Sequence, residues 1–156
     1  MPIKKIKDYL DNNDIKYVII SHSPAYTAME VAARAHVSGN ELAKTVMVKM
    51  DEKMTMVVLP ASYKIDFNQL KEESGAVTVQ LADEDDFIEM FPKCEVGAMP
   101  PFGNLYKMEV YVAESLTKGK EIAFAAGSHS ELIKLAYKDF EILVNPIVLK
   151  ISVLAL

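Results

Sequence analysis

Apolar residues recur at helical spacing at the start of the chain, where Ile3, Ile6, Tyr9 and Leu10 share one face of a short amphipathic helix ending at the Asp11-Asn-Asn-Asp14 turn. The period then shortens to two. Lys16-Tyr-Val-Ile-Ile20 reads as a strand, and His22 to Thr27 as a loop. Thr27 with Glu30 forms a capping box for an Ala-rich helix from Ala28 to His36, stopped by Ser38-Gly39. Lys44 to Met50 and Met54 to Leu59 are β-patterned runs joined by Asp51-Glu-Lys53, which suits a hairpin. Asp66 caps a helix ending near Ser74-Gly75, Ala76 to Leu81 is another strand, and Asp83 caps a short acidic helix running to Phe91-Pro92.

The Gly and Pro density from Cys94 to Asn104 forbids regular structure and predicts a long shaped loop. Leu105 to Val112 and Glu121 to Phe124 alternate as strands around the Thr117-Lys-Gly119 turn. Ser130 to Val144 fits either a strand or a helix capped by Ser130; the favoured reading is a strand to Ala136, then a helix from about Lys138. Ile147 to Leu156 is β-branched and apolar and is expected to close against the core. Interleaved strands, hairpins and helices predict an α+β fold, a mixed sheet or partly closed barrel flanked by helices, as one domain over residues 1–156.

Composition narrows the function classes. Hydrophobic residues make up 51% and charged ones 25%, with 6 Gly and 7 Pro, so the chain reads as globular rather than disordered. No window approaches the ~18 apolar residues of a membrane span, and the charged, amphipathic N-terminus is unlike a signal peptide, so a cytoplasmic protein with no membrane partner is expected. The single Cys94 offers neither a disulfide nor metal-ligand spacing. A net charge of −5 argues against DNA binding or a general nucleic-acid coat, and confines any RNA contact to a small site touching few phosphates.

Three features carry candidate chemistry. On a strand, Lys44 shares the more apolar face with Val46, Val48 and Met50. It either snorkels to solvent from the strand start or is a cation at the mouth of a pocket. Gly97-Ala-Met-Pro-Pro-Phe-Gly103 has a fixed backbone path, a rigid turn or a loop presenting peptide N–H groups to a ligand oxygen, and lacks nucleotide-loop spacing. Ala125-Ala-Gly-Ser-His129 ends a strand in a glycine and a histidine, structural or functional. Ser115-Leu-Thr-Lys118 straddles a turn without companion motifs, and His22, His36 and His129 have no i, i+4 pairing, so no metal and no cofactor are expected. The nine methionines are scattered and read as core filler.

Together these strings resemble a known family. Ala35 to Lys49, Leu59-Pro-Ala-Ser62, Phe91 to Gly103, Ala126-Gly-Ser-His129 and Tyr137-Lys-Asp-Phe140 are similar, in order, to the YbaK/prolyl-tRNA-synthetase-associated editing domain family. The resemblance implies a mostly antiparallel, barrel-like mixed sheet and hydrolysis of the ester joining a wrong amino acid to tRNA, most plausibly alanyl- or cysteinyl-tRNA of the proline acceptor. It places the catalytic set on Lys44, Gly97, Pro101 and His129, and substrate binding on His22, Tyr26, Ala98, Met99, Pro100, Phe102, Gly103, Gly127 and Ser128. It further implies a trans-acting protein that holds the 3′ end of aminoacyl-tRNA, with prolyl-tRNA synthetase as a partner. Two positions depart from the family pattern. Many relatives carry an aspartate where Ala113 stands, and often an arginine where Ile142 stands; Glu114 does not replace the former, because adjacent strand residues face opposite ways. Ala113 leaves a second reading open, a non-catalytic module binding a tRNA end, a nucleotide or a synthetase on the same scaffold.

Overall fold

The fold is that of a computed structural model describing residues 2–92, 94, 95 and 97–155. Met1, Lys93, Val96 and Leu156, and the side chains of Pro2 and Ile3, lie outside the described residues, so the expected apolar role of Ile3 does too. Helix α1 (Pro2–Asn12) buries Ile6 and Leu10 completely, as its spacing requires. Strand β1 (Tyr17–Ser21) leads to α2 (Ala28–Ala35), where the Thr27 side chain accepts the Glu30 N–H and His36 ends the helix at φ 57°.

Strands β2 (Leu42–Met50) and β3 (Lys53–Pro60) pair antiparallel from Ala43↔Pro60 to Met50↔Lys53. Their turn, Asp51-Glu52, has positive φ at both residues, matching the twist of a tight hairpin, and the Asp51 carboxylate secures it by accepting the Val77 and Thr78 N–H groups. Then come β4 (Tyr63–Ile65), α3 (Phe67–Ser74) capped by Asp66 and closed by Gly75 at φ 76°, β5 (Val79–Leu81), and α4 (Glu84–Phe87), which tightens into a 3-10 turn at Ile88–Met90. The remaining elements are β6 (Val110–Ala113), β7 (Glu121–Ala125), β8 (Glu131–Ala136), α5 (Tyr137–Val144), β9 (Ile147–Leu149) and β10 (Ser152–Leu154).

The main sheet runs β1-β8-β7-β2-β3-β6-β9, with β5 on the far half of β2; β4 and β10 form a separate ribbon. Among the described residues β2/β7, β3/β6 and β6/β9 are parallel and the other pairs antiparallel. The mixed, mostly antiparallel sheet is as expected; it stays open, because β1 and β9 lie at opposite edges. Several expectations change. Leu105 and Tyr106 belong to a 3-10 turn (Gly103–Tyr106), and β6 and β7 form no hairpin: a second turn, Glu114–Lys118, carries the chain between different neighbours. The strand expected from Ala76 forms only from Val79, and the C-terminal run closes on the core chiefly through Ile151, while Ile147 and Val148 stay exposed.

Period-two alternation divides the core. Ala43, Met47, Met56, Val58, Val112, Phe124 and Ile133 pack on one face with α1 and α5. The opposite face carries two separate clusters, Val48, Val57, Leu59, Tyr111, Ala113 and Ile151 on one side and Leu42, Ala123, Leu132 and the α2 residues Val31 and Ala32 on the other. Along β2 the polar break between them is Lys44. Among the described residues no helix is long and apolar enough to cross a membrane.

Candidate active site

The site arises where two parallel strands part. β2 and β7 pair only through Leu42↔Ala123 and Ala43↔Phe124, and β5 joins β2 only from Val48 onward. The interval leaves a wedge in the sheet, and a cavity of about 50 Å3 fills it. Lys44 and Thr45 line it from β2, Ala125 from the end of β7, and Leu132 from β8. Gly97 and Met99 enter from the Cys94–Asn104 loop, Ser128 and His129 from the turn after β7, and Thr27, Ala28 and Val31 from the start of α2; His22 and Tyr26 stand on the loop before it.

Lys44 is half-buried and its ammonium donates to the Ala61 carbonyl at 3.3 Å, its one protein hydrogen bond among the described residues. Burial holds its pKa below the usual lysine value, since the charged form loses water that a single carbonyl only partly replaces. His129 is knitted into two loops. Its backbone N–H donates to Glu95 Oε2 at 3.0 Å, its carbonyl accepts the Ala25 N–H at 3.3 Å, and its ring lies 5.1 Å from that of Tyr26. The Tyr26 ring is otherwise open, 75% of the residue being exposed. His22 Nδ1 lies 2.9 Å from the Ser23 carbonyl, which can only accept, so a neutral ring presents Nε2 as an acceptor; that nitrogen is buried without a hydrogen-bond partner among the described residues.

Gly97 sits at φ 85°, a region that L side chains rarely occupy, and a Cβ there would lie 3.5 Å from His129 Cε1. The contact is ordinary, so the requirement for glycine lies in the backbone. Gly97→Val is therefore expected to lower deacylation at least ~10-fold with the fold retained, Gly97→Ala less so. Rates from single-turnover assays beside far-UV circular dichroism decide this; a folded Gly97→Val protein with normal rates would leave the loop a turn.

Seven residues singled out from the sequence thus meet at one cavity: His22, Tyr26, Lys44, Gly97, Met99, Ser128 and His129. The others do not line it. Ala98, Pro100 and Pro101 are buried along the loop, and Ala98 bonds through its carbonyl to the Gly127 N–H. Phe102 is fully buried in the core, edge-on to Tyr9 and Phe140. Gly103 lies where a Cβ would strike Val110 Cγ2, so it permits close packing of the loop on β6. Gly127, at φ 107°, shapes the turn that carries His129. The α2 wall, Leu132 and Glu95 escaped sequence reading: the first two look like ordinary core positions, and Glu95 acts through a backbone group that no side-chain pattern reveals.

Ala113 is fully buried among Leu59, Tyr111 and Ile151 and does not line the cavity. Cys94 also lies elsewhere, its thiol pushed up by burial. Ser128 has no base beside its hydroxyl among the described residues: its oxygen meets Ser130 Oγ at 3.4 Å and accepts the Ser130 N–H at 3.4 Å.

Comparison with known proteins gives a consistent set of relatives. Residues 22–143 match the model of the aminoacyl-tRNA editing domain. The chain is 27% identical over 142 residues to the prolyl-tRNA editing protein ProX of Acetoanaerobium sticklandii, covering 87% of this chain and 86% of that protein. It is 27% identical over 103 residues to a proline–tRNA ligase of Bacillus cereus, covering 64% of this chain and 18% of the ligase. Among solved structures, hypothetical protein APE2540 superposes with a TM-score of 0.84 at 23% identity, over 96% of this chain and 99% of that one. A protein described as a candidate trans-editing enzyme for prolyl tRNA synthetase gives 0.80 at 17% identity, over 97% of each chain. With the match spanning every element that builds the cavity, the chain belongs to the aminoacyl-tRNA editing domain family, and so to the ester hydrolases that deacylate tRNA.

Proposed function

We propose that this protein hydrolyses alanyl- or cysteinyl-tRNA of the proline acceptor in trans in the cytoplasm, as one domain, with prolyl-tRNA synthetase supplying much of the tRNA selection. The observation that carries the reading is the convergence of Lys44, Gly97 and His129 on one small cavity in the sheet. At about 50 Å3 it has room for roughly four water-sized groups, enough for an alanyl or cysteinyl side chain with its α-amino nitrogen. A prolyl ring, three methylenes closed onto the nitrogen, takes up all of that room.

In this reading water is the nucleophile, since no serine or cysteine with a paired base stands in the cavity among the described residues. Water oxygen adds to the ester carbonyl, and the peptide N–H groups of Gly97 and Met99 stabilise the oxyanion, the Ala98 N–H being engaged by the Glu95 carbonyl. The ester C–O bond then breaks, the ribose oxygen takes one of the water's protons and leaves as a hydroxyl, and the amino acid departs as its carboxylate, the other proton passing to solvent. Lys44, with donors left over after its bond to Ala61, holds a phosphate or ribose oxygen of the terminal nucleotide. His129 orients the ribose, the His22 Nε2 lone pair takes the α-ammonium, and the open Tyr26 ring gives the terminal base a face to stack on. So few contacts need no basic surface, which accommodates the charge of −5.

A panel of mischarged tRNAs tests the proposal. Alanyl- or cysteinyl-tRNA of the proline acceptor should be deacylated at least ~10-fold faster than correctly charged prolyl-tRNA. Binding with no hydrolysis of any member would instead mark a module that holds tRNA ends.

A further inference from the structure

Glu95, Gly97 and Ala98 on one loop and residues 127–129 on another come from distant parts of the chain and meet at the site, so something must hold them in register. Their backbones are laced by three hydrogen bonds: Glu95 N–H to the Gly127 carbonyl at 2.9 Å, Gly127 N–H to the Ala98 carbonyl at 2.9 Å, and Ala98 N–H back to the Glu95 carbonyl at 3.0 Å. The side chain of Glu95 completes the lacing. Its Oε2 accepts the backbone N–H of His129 at 3.0 Å, and the same oxygen lies 3.7 Å from His129 Nε2. Glu95 does not line the cavity, and its side chain is half-exposed.

We propose that Glu95 is a positioning residue of this site, its carboxylate clamping the His129 backbone and thereby fixing the imidazole against Gly97. The catalytic half of this inference rests on the deacylase reading above; the clamp itself does not. At 3.7 Å the ring nitrogen is beyond hydrogen-bond reach, whereas the 3.0 Å bond to the backbone is well formed and charge-assisted. The role therefore belongs to the acceptor oxygen rather than to the charge beside the ring. A site gap of a single small cavity tolerates little drift, because the reacting groups must be held within a fraction of an ångström.

Three variants separate acceptor, charge and reach. Glu95→Gln keeps an acceptor oxygen at the same reach without the charge, Glu95→Asp shortens the side chain by one methylene, and Glu95→Ala removes the acceptor. Glu95→Ala and Glu95→Asp should each lower kcat about 10-fold with KM changed less than about twofold, and Glu95→Gln should recover to within about threefold of the parent. Hydrogen exchange at the His129 amide should quicken about 10-fold in Glu95→Ala and Glu95→Asp and stay near the parent value in Glu95→Gln. This amide measurement needs no turnover, so a protein that deacylates nothing would fail the panel of tRNAs while still showing the clamp. Unchanged amide exchange in Glu95→Ala would overturn the proposal, as would a Glu95→Gln protein as impaired as Glu95→Ala in both measurements. Should Glu95→Ala fail to fold, the contrast between Glu95→Gln and Glu95→Asp decides alone.

Discussion

Lys44→Ala is expected to lower deacylation of the preferred aminoacyl-tRNA about 100-fold, some 2.7 kcal/mol of transition-state stabilisation, without loss of thermal stability. Both halves follow from where the lysine stands. On β2 it interrupts the apolar face between Leu42, which packs with α2, and Val48, which packs with Leu59 and Ile151. Neither cluster needs its side chain. The ammonium has lost water and gained one protein carbonyl, so the native state holds its proton less tightly than the unfolded chain does. A lysine with a depressed folded-state pKa is a cost at neutral pH. Stability then rises with pH between the folded-state value and the unfolded one, where the unfolded chain binds more protons. Lys44→Met should remove that alkaline rise and melt no lower than the parent. Single-turnover rates and thermal melts across pH measure both effects, and a Lys44→Ala protein with undiminished turnover would exclude the lysine from the chemistry.

Period-two alternation is local, so it was enough to place Lys44 on an apolar strand face, whereas the choice of a site over a lysine snorkelling to solvent came from the family resemblance. The same locality made the caps readable: Thr27 with Glu30, and Asp66 with Gly75, announce helices within a few residues of themselves. The Asp51-Glu52 hairpin is equally self-contained. Strand partners are another matter. The alternation around Val110 to Val112 and Glu121 to Phe124 signals two strands, yet nothing in either says that β6 lies parallel to β3 while β7 joins β2 and β8. Gly103 shows the same limit, because its tight fit against Val110 depends on packing across the loop rather than on neighbours in sequence. The cavity itself is a product of pairing, a gap between strands that part after Ala43, and so its α2 wall and the Glu95 clamp were visible only in three dimensions.

Ala113→Asp, which writes into this chain the aspartate that the resemblance gives to many relatives, is expected to destabilise the fold by about 3 kcal/mol or more while leaving the aminoacyl preference unchanged. The departure of Ala113 from the family pattern suggests that restoring the aspartate raises hydrolysis or redirects it. The sheet register explains why it should do neither. Lys44 opposes Leu59, and Leu59 is one residue beyond the Val58↔Val112 pair, so Ala113 occupies the same row two strands away, roughly 10 Å at ordinary strand spacing. Leu59 stands between them, and Ala113 is 0% exposed among Tyr111, Ile151 and the neighbouring Leu149. A carboxylate there would lie too far from the ammonium to pair with it and would be cut off from water. Burial would raise its pKa, so the native state would bind its proton more tightly than the unfolded chain. The penalty should then be full at neutral pH and fade as pH falls toward about 4, the ordinary aspartate range. For a chain of this size the loss corresponds to a melting point lower by about 6 to 12 °C. Melts of both proteins at neutral and acid pH, with the tRNA panel run well below the lower melting point, make the comparison. An Ala113→Asp protein that melts like its parent and prefers a different aminoacyl-tRNA would show that this row of the sheet communicates with Lys44 after all, and that the cavity extends beneath Leu59 during the reaction.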